Sequence, residues 1–225
     1  APHPLFGEMN ESETWLLEHL VQCLDPRVLV EMGTFYGRST SIMAHNSPPD
    51  ARILTVDLPN RERHRYVTPY STDAVFIESE ISKIGERFKG TPAATKIRQV
   101  YHDVTKHGFE DALDNFLGTD TIDFALLDAA HDYETTKRLF QITYDRLSPG
   151  GVIMMDDYGK ISDHVGVTRY LAERAEDLVF YWFNPSNLEP HKMPTPVMNK
   201  ADPRQSGVFF INLDDAKVPW QSRMS

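Results

Sequence analysis

The sequence predicts an α/β protein built on a doubly wound, mostly parallel sheet of seven strands. Short, nearly continuous runs of β-branched and aliphatic residues are typical of strands that are covered on both faces. Segments with helical spacing separate the first five runs, and this alternation implies parallel βαβ units. The predicted strands are residues 28–31, 53–57, 97–100, 122–128, 151–156, 178–183 and 207–213.

The predicted helices lie between these strands, with one additional helix before the first strand. That helix, at about residues 11–24, belongs to an N-terminal helical extension over residues 1–26. The spacing of apolar residues predicts the others at residues 39–45, 73–88, 109–116 and 133–147.

The last two strands are joined differently from the others. A Pro- and Asn-rich stretch, residues 184–206, lies between them and has no helical pattern. Strands joined by a loop are most simply antiparallel, so we expect a C-terminal hairpin with a long loop. No repeat or interdomain linker is visible, which predicts a single domain over residues 1–225.

The composition excludes several classes of protein. The chain has 225 residues, of which 40% are hydrophobic and 25% charged, as in ordinary globular domains. The net charge of −10 repels polynucleotides and anionic membranes, so we expect no nucleic-acid and no membrane partner. Cys23 is the single cysteine, which excludes an intramolecular disulfide and a thiolate zinc site. No apolar run reaches the roughly 20 residues that span a bilayer, and the first residues lack a signal-peptide pattern. We therefore expect a cytoplasmic protein.

Acidic residues close four of the predicted strands: Glu31, Asp57, Asp128 and Asp156. The carboxyl ends of the strands in an open α/β sheet are where ligands bind. One such residue alone would more simply cap a helix or form a turn. Four of them at the same edge of one sheet instead indicate a binding site.

Two glycines bracket the turn after the first strand, in the motif EMGTFYGRST. We call residues 33–37 the glycine loop. Gly33 allows a tight turn of the backbone, and Gly37 allows a ligand or the following helix to approach closely. The spacing differs from the dinucleotide and phosphate-loop fingerprints, so a plain strand-to-helix turn is the competing interpretation. Asp57 follows at the interval at which an acidic residue commonly binds ribose hydroxyls, which fits a nucleoside cofactor.

Four stretches, in this order, carry a resemblance to a known family: VLVEMGTFYGRST, TVD, LLDAAH and LSPGGVIMMDDY. They fall within residues 28–158 and resemble the class I S-adenosylmethionine-dependent methyltransferases. Within that superfamily they are similar to the metal-dependent small-molecule O-methyltransferases, especially the branch that contains macrolide-sugar and polysaccharide methyltransferases. The resemblance implies a Rossmann-like methyltransferase fold and S-adenosylmethionine as the methyl donor.

The resemblance also implies where the cofactor lies. Glu31 and Gly33 would flank its methionine part, and Asp57 would hold the ribose. Asp103 stands where the family contacts the adenine, although a turn or helix-capping role competes. Ser39 opens the helix after the glycine loop, so capping and cofactor contact are both open. The predicted cofactor-binding residues are Glu31, Gly33, Ser39, Asp57, Asp103 and Asp128.

A second group of acids, Asp128, Asp156 and Asp157, comes from adjacent strand ends. Three carboxylates brought together repel one another unless a cation lies among them. Ligation by oxygen alone suits Mg²⁺, Mn²⁺ or Ca²⁺, and no cluster of His or Cys favours zinc. Related enzymes place a divalent metal at this position, so we predict a metal site there.

His131 follows Asp128 by three residues. A bound cation lowers the pKa of an alcohol, and a nearby base must still accept its proton. An imidazole titrates near neutrality and suits that role. Catechol-type relatives have a lysine at this position, whereas sugar-type relatives have D-x-x-H, as here. The pattern therefore predicts His131 as the general base and a sugar or glycoside hydroxyl as the acceptor.

Weaker signals surround this site. Tyr158 and His164 follow the acid pair and are candidates for the substrate pocket. The basic residues of segment 61–65 form either a solvated loop or a lid. The apolar final strands favour a homodimer.

Other functions remain open at this level. A hydroxylase-like tailoring enzyme and a catechol or phenol O-methyltransferase fit the same fold. A cofactor-binding protein without turnover is the alternative that is not an enzyme.

Overall fold

The computed structural model describes residues 9, 11–59, 83–130, 132–156, 165–174, 178, 180–184, 189–192 and 208–211. Helices and strands alternate through most of the chain. In chain order the elements are α1 (Glu11–Leu24), β1 (Val28–Met32), α2 (Arg38–Asn46), β2 (Arg52–Asp57), a 3-10 turn (Pro92–Lys96), β3 (Ile97–Tyr101), α3 (Phe109–Leu117), β4 (Ile122–Leu127), α4 (Tyr133–Tyr144), β5 (Leu147–Met155), α5 (Val165–Arg174), β6 (Phe180–Asn184), β7 (Glu189–Lys192) and β8 (Val208–Ile211).

The eight strands in the described part of the chain form one sheet in the order β3-β2-β1-β4-β5-β8-β6-β7. The first five in this order are parallel, which confirms the predicted α/β class with a parallel sheet. The remaining strands are antiparallel to their neighbours. Within the described residues the sheet has one strand more than the seven predicted, because residues 189–192 of the predicted loop 184–206 form β7 and pair with β6.

Two further boundaries differ from the prediction. The predicted helix 133–147 ends at Tyr144, because β5 begins at Leu147 and runs through Pro149 and both glycines. The register between β4 and β5 shifts in this region, which lets the strand continue through the Pro-Gly-Gly sequence. Helix α5 was not predicted. Of the predicted helix 73–88, residues 83–88 form turns, and the rest lies outside the described residues.

The strands of the parallel sheet bury alternate residues on its two faces. Val30 and Met32 of β1 belong to one apolar cluster, together with residues of α3, α4 and α5. Leu29 belongs to a second cluster, with residues of α1 and α2. Glu31 is two residues after Leu29, so the alternation places it on the face that α2 covers.

No helix in the described part of the chain is both long and apolar enough to cross a membrane. The organisation of residues 1–225 as a single domain stays a prediction.

Gly33 is the point where the end of β1 meets the end of β4. Its φ is 109°, and a Cβ there would lie 1.7 Å from the carbonyl oxygen of Asp128. Gly90 also has a positive φ, 75°, but a Cβ there would meet nothing within 4 Å.

We therefore expect Gly33→Ala to lower the free energy of unfolding by on the order of 3–5 kcal/mol, measured by urea denaturation, because the ends of β1 and β4 must separate. Gly90→Ala isolates the backbone strain and should cost about 1 kcal/mol. Equal losses in the two variants would contradict the close approach.

Candidate functional site

The glycine loop is held by backbone hydrogen bonds at the carboxyl ends of β1 and β2. Gly33 N donates to Val56 O at 2.9 Å, and Gly37 N donates to Thr34 O at 2.8 Å. Phe35 has a φ of 46°, which is uncommon for a residue with a side chain. Its N–H donates to Asp57 Oδ2 at 2.9 Å. The carboxylate of Asp57 therefore fixes the strained residue of the loop.

Residues 85–88 pack against the glycine loop and form hydrogen bonds with it. Gly85 N donates to Phe35 O at 2.8 Å, and Arg87 N donates to Tyr36 O at 3.0 Å. A Cβ on Gly37 would lie 2.6 Å from the ring of Phe88. The space that Gly37 leaves beside its Cα is thus taken by Phe88. The expectation that a ligand approaches at Gly37 stays a prediction.

Glu31 is completely buried beneath the loop. Its carboxylate accepts hydrogen bonds from Ser39 Oγ at 2.5 Å, Thr55 Oγ1 at 2.5 Å and Thr40 Oγ1. The pKa of Glu31 is raised to about 7. Burial is the main cause, the three hydroxyl donors oppose it only in part, and the charge of Asp57 adds to it. The hydrogen bonds of Glu31 therefore connect β1 to α2 and to β2.

Ser39 does not cap α2. The N-cap is Gly37, which makes no side-chain capping bond, and the hydroxyl of Ser39 donates to Glu31 instead. Ser39 also lines the cleft described next, so it lies between the buried carboxylate and that cleft.

A cleft opens above the glycine loop. It brings together three of the predicted residues, Gly33, Ser39 and Asp128. Glu31, Asp57 and Asp103 are not among its lining residues. The full lining is Met9, Gly33, Thr34, Phe35, Tyr36, Gly37, Arg38, Ser39 and Asp128.

Sequence reasoning did not single out five of the lining residues: Met9, Thr34, Phe35, Tyr36 and Arg38. The last four lie within the EMGTFYGRST motif, so the motif itself was the available signal. Met9 is buried and comes from the segment before α1, where no pattern singled it out.

Asp103 lies on the turn after β3 and is 3% exposed. Its Oδ1 accepts from the N–H of Thr105 at 3.0 Å and from its hydroxyl at 2.7 Å, and its Oδ2 pairs with Lys106 Nζ at 3.0 Å. The turn-forming role is therefore present. A contact with adenine stays a prediction.

Asp128 and Asp156 stand at neighbouring strand ends. Each is one residue beyond the last register pair of β4 and β5, Leu127 with Met155. Asp128 N donates to Met32 O at 2.8 Å, and Asp156 N donates to Leu127 O at 3.2 Å. The backbone thus places these two predicted metal ligands side by side at the carboxyl edge.

The other members of the predicted catalytic group lie outside the described residues: His131, Asp157, Tyr158, His164 and segment 61–65. Within the described ranges, no three His, Cys, Asp or Glu side chains form a group that could hold a metal ion. The metal site therefore stays a prediction.

The parallel order β3-β2-β1-β4-β5 and the cleft beyond β1 define a Rossmann-like α/β protein. A family profile described as a methyltransferase domain matches residues 30–158, more than half of the 225-residue chain. The chain belongs to this methyltransferase family. None of the curated proteins matches the sequence.

Several solved structures share the fold. An O-methyltransferase from Bacillus cereus in complex with SAH is 15% identical, with 92% of this chain and 84% of that chain covered and a TM-score of 0.58. The O-methyltransferase TomG from Streptomyces achromogenes, involved in tomaymycin synthesis and in complex with SAM, is 19% identical, with 91% and 82% covered and a TM-score of 0.57. A methyltransferase from Geobacter sulfurreducens is 11% identical, with 92% and 81% covered and a TM-score of 0.56. The predicted methyltransferase class is confirmed, whereas its metal-dependent sugar branch stays a prediction.

The raised pKa of Glu31 makes stability depend on pH. An ordinary glutamate has a pKa of 4.5 and the buried one about 7, so between these values the unfolded state releases a proton that the native state keeps. Stability should therefore fall as pH rises through this window, by about 3 kcal/mol in total, and level off above it. Glu31→Gln has no proton to lose and should abolish the slope, measured by urea denaturation across the window.

Asp114→Asn is the control for this experiment. Its pKa is lowered by the hydrogen bond from Arg146, so it titrates below the window and the slope should survive its replacement. A slope that persists in Glu31→Gln would show that another group is responsible.

Proposed function

We propose that the protein is a divalent-metal-dependent O-methyltransferase that transfers the methyl group of S-adenosylmethionine to a hydroxyl of a sugar or glycoside. The observation that carries the proposal is the cleft where Gly33, Ser39 and Asp128 meet, in a member of a methyltransferase family. Two similar structures contain SAH or SAM, which supports the choice of cofactor.

In this proposal the cofactor lies along the carboxyl ends of β1, β2 and β3. Its methionine part occupies the cleft beside Gly33 and Ser39, with Glu31 beneath. Its ribose lies on Asp57, and its adenine lies near Asp103. The link from His102 N to Asp57 O, 2.8 Å, joins the last two positions.

The carboxylates of Asp128, Asp156 and Asp157 would hold the metal. The side-by-side placement of Asp128 and Asp156 supports this choice, because oxygen ligands suit Mg²⁺, Mn²⁺ or Ca²⁺. When bound, the cation lowers the pKa of the acceptor hydroxyl and orients it.

His131 would accept the proton of the acceptor hydroxyl as the new bond forms. S-adenosylmethionine, held beside Gly33 and Ser39, would supply the methyl group to the hydroxyl oxygen; its sulfur would keep the electrons of the carbon–sulfur bond, so that S-adenosylhomocysteine would be the product. Tyr158 and His164 would contact the acceptor. A cytoplasmic homodimer without nucleic-acid or membrane partners completes the proposal.

Metal removal tests the reaction. Protein stripped with EDTA should still bind S-adenosylhomocysteine in calorimetry, because the glycine loop and Asp57 are separate in sequence from the acid group and remain in place when the metal is removed. It should not turn over until Mg²⁺ is added, and the acceptor should then gain the mass of one methylene. A panel of sugars, glycosides and catechols supplies the acceptors.

Three results would contradict this proposal in different ways. Turnover that survives treatment with EDTA would exclude the proposed metal dependence. An acceptor that gains one oxygen atom supports the hydroxylase alternative. A protein that binds neither S-adenosylmethionine nor S-adenosylhomocysteine is not the proposed enzyme.

The base is tested with His131→Ala. Loss of a positioned general base should lower the rate by roughly 10²–10⁴-fold while calorimetry shows unchanged cofactor binding. The wild-type rate should rise with pH as the imidazole loses its proton, and the variant should lose that inflection. His45→Ala, which removes an exposed imidazole on α2, should leave the rate unchanged. A His131→Ala enzyme with the wild-type rate would make the imidazole a bystander.

A further inference from the structure

Arg138 of α4 connects three segments around the site. Its Nε donates to Val104 O at 3.2 Å, and its Nη2 donates to Lys106 O at 3.3 Å and to Glu110 Oε1 at 2.6 Å. Two acceptors are backbone carbonyls of the turn after β3, and the third is in the first turn of α3. A planar guanidinium has five donors in a fixed arrangement and can serve acceptors in several directions, which an ammonium on a flexible chain does less well.

The turn over residues 102–106 has a second anchor at the end of β2. His102 N donates to Asp57 O at 2.8 Å, and within the turn Lys106 N donates to Asp103 O at 3.0 Å. The turn that carries Asp103 is therefore fixed to the Asp57 backbone at one end and to Arg138 at the other.

Helix α4 begins directly after the segment that starts at Asp128. Its N-cap is Asp132, whose Oδ1 accepts from Thr135 N at 2.9 Å. Arg138 thus joins helix α4 to the turn over residues 102–106. In the proposed function, α4 follows the acceptor side of the site and the turn lies on its adenosine side.

We infer that Arg138 is a positioning residue, which holds residues 102–106 in the conformation that receives the adenosine end of the cofactor. It acts through the carbonyls of Val104 and Lys106. The inference rests on the proposed function, because it takes S-adenosylmethionine as the ligand.

Arg146 provides a matched control within the same chain. It follows α4 and also binds α3, with Nε to Asp114 Oδ1 at 2.5 Å and Nη2 to Asp114 Oδ2 at 2.9 Å. Its backbone carbonyl accepts from Ile122 N at the start of β4, so Arg146 lies at the amino edge of the sheet, away from the site. The side chains are similarly buried, with 29% of Arg138 and 22% of Arg146 exposed.

The experiment compares Arg138→Lys with Arg146→Lys in calorimetric titrations with S-adenosylhomocysteine and with adenosine. Arg138→Lys should raise the dissociation constant of both ligands by about 3- to 30-fold, since one or two of the hydrogen bonds that hold residues 102–106 are lost. Hydrogen exchange of the amides at residues 104–106 should become faster. Arg146→Lys should lower Tm but leave both affinities and this exchange unchanged.

A second variant keeps the test decisive if Arg138→Lys folds poorly. Glu110→Gln removes only the charge that orients the guanidinium. It should also weaken the binding of S-adenosylhomocysteine, by a smaller factor than Arg138→Lys. Wild-type affinity in the folded Arg138 or Glu110 variant overturns the inference, as does equal weakening in Arg146→Lys. A wild-type protein that binds no S-adenosylhomocysteine overturns the proposed function as well, which separates the two failures.

Discussion

The close approach of β1 and β4 at their carboxyl ends determines the rest of the site. Gly33 has no side chain, and its backbone lies against the carbonyl of Asp128 at a distance that excludes a Cβ. Gly33 also donates to Val56 of β2, so the ends of three adjacent strands meet at one residue. The cleft is lined by the glycine loop on one side and by Asp128 on the other, and it depends on this contact.

The same edge of the sheet contains a buried carboxylate, Glu31, and nearby hydroxyl groups offset part of the free energy that its burial costs. An unpaired carboxylate in the interior is strongly unfavourable, and three hydroxyl donors reduce that cost for Glu31 without removing it. In return, the hydrogen bonds to Ser39, Thr40 and Thr55 fix the start of α2 relative to two strands. A protein that needed only a stable sheet would place an apolar residue here. The buried acid is better understood as part of a rigid support for the loop above it.

The sequence predicted those elements whose pattern is local. The bounds of α1, and to within a residue those of the first four parallel strands, follow from apolar runs and helical spacing. Strand β7 was missed because its four residues, EPHK, carry no β pattern and are stabilised by pairing with β6. The contact between Gly37 and Phe88 was not predicted because Phe88 is distant in sequence. Contacts of that kind, including those of Arg138 and Met9, depend on tertiary packing and leave no periodic signal.

The concentration of acids at one edge connects the fold to the proposed chemistry. The charge of Asp57 already contributes to the raised pKa of Glu31, and Asp128 and Asp156 stand at the next two strand ends. Such an edge favours cationic ligands, because each positive charge relieves repulsion among the carboxylates. In the proposed function, the sulfonium of S-adenosylmethionine and a divalent metal ion are both cations of the kind that such an edge favours.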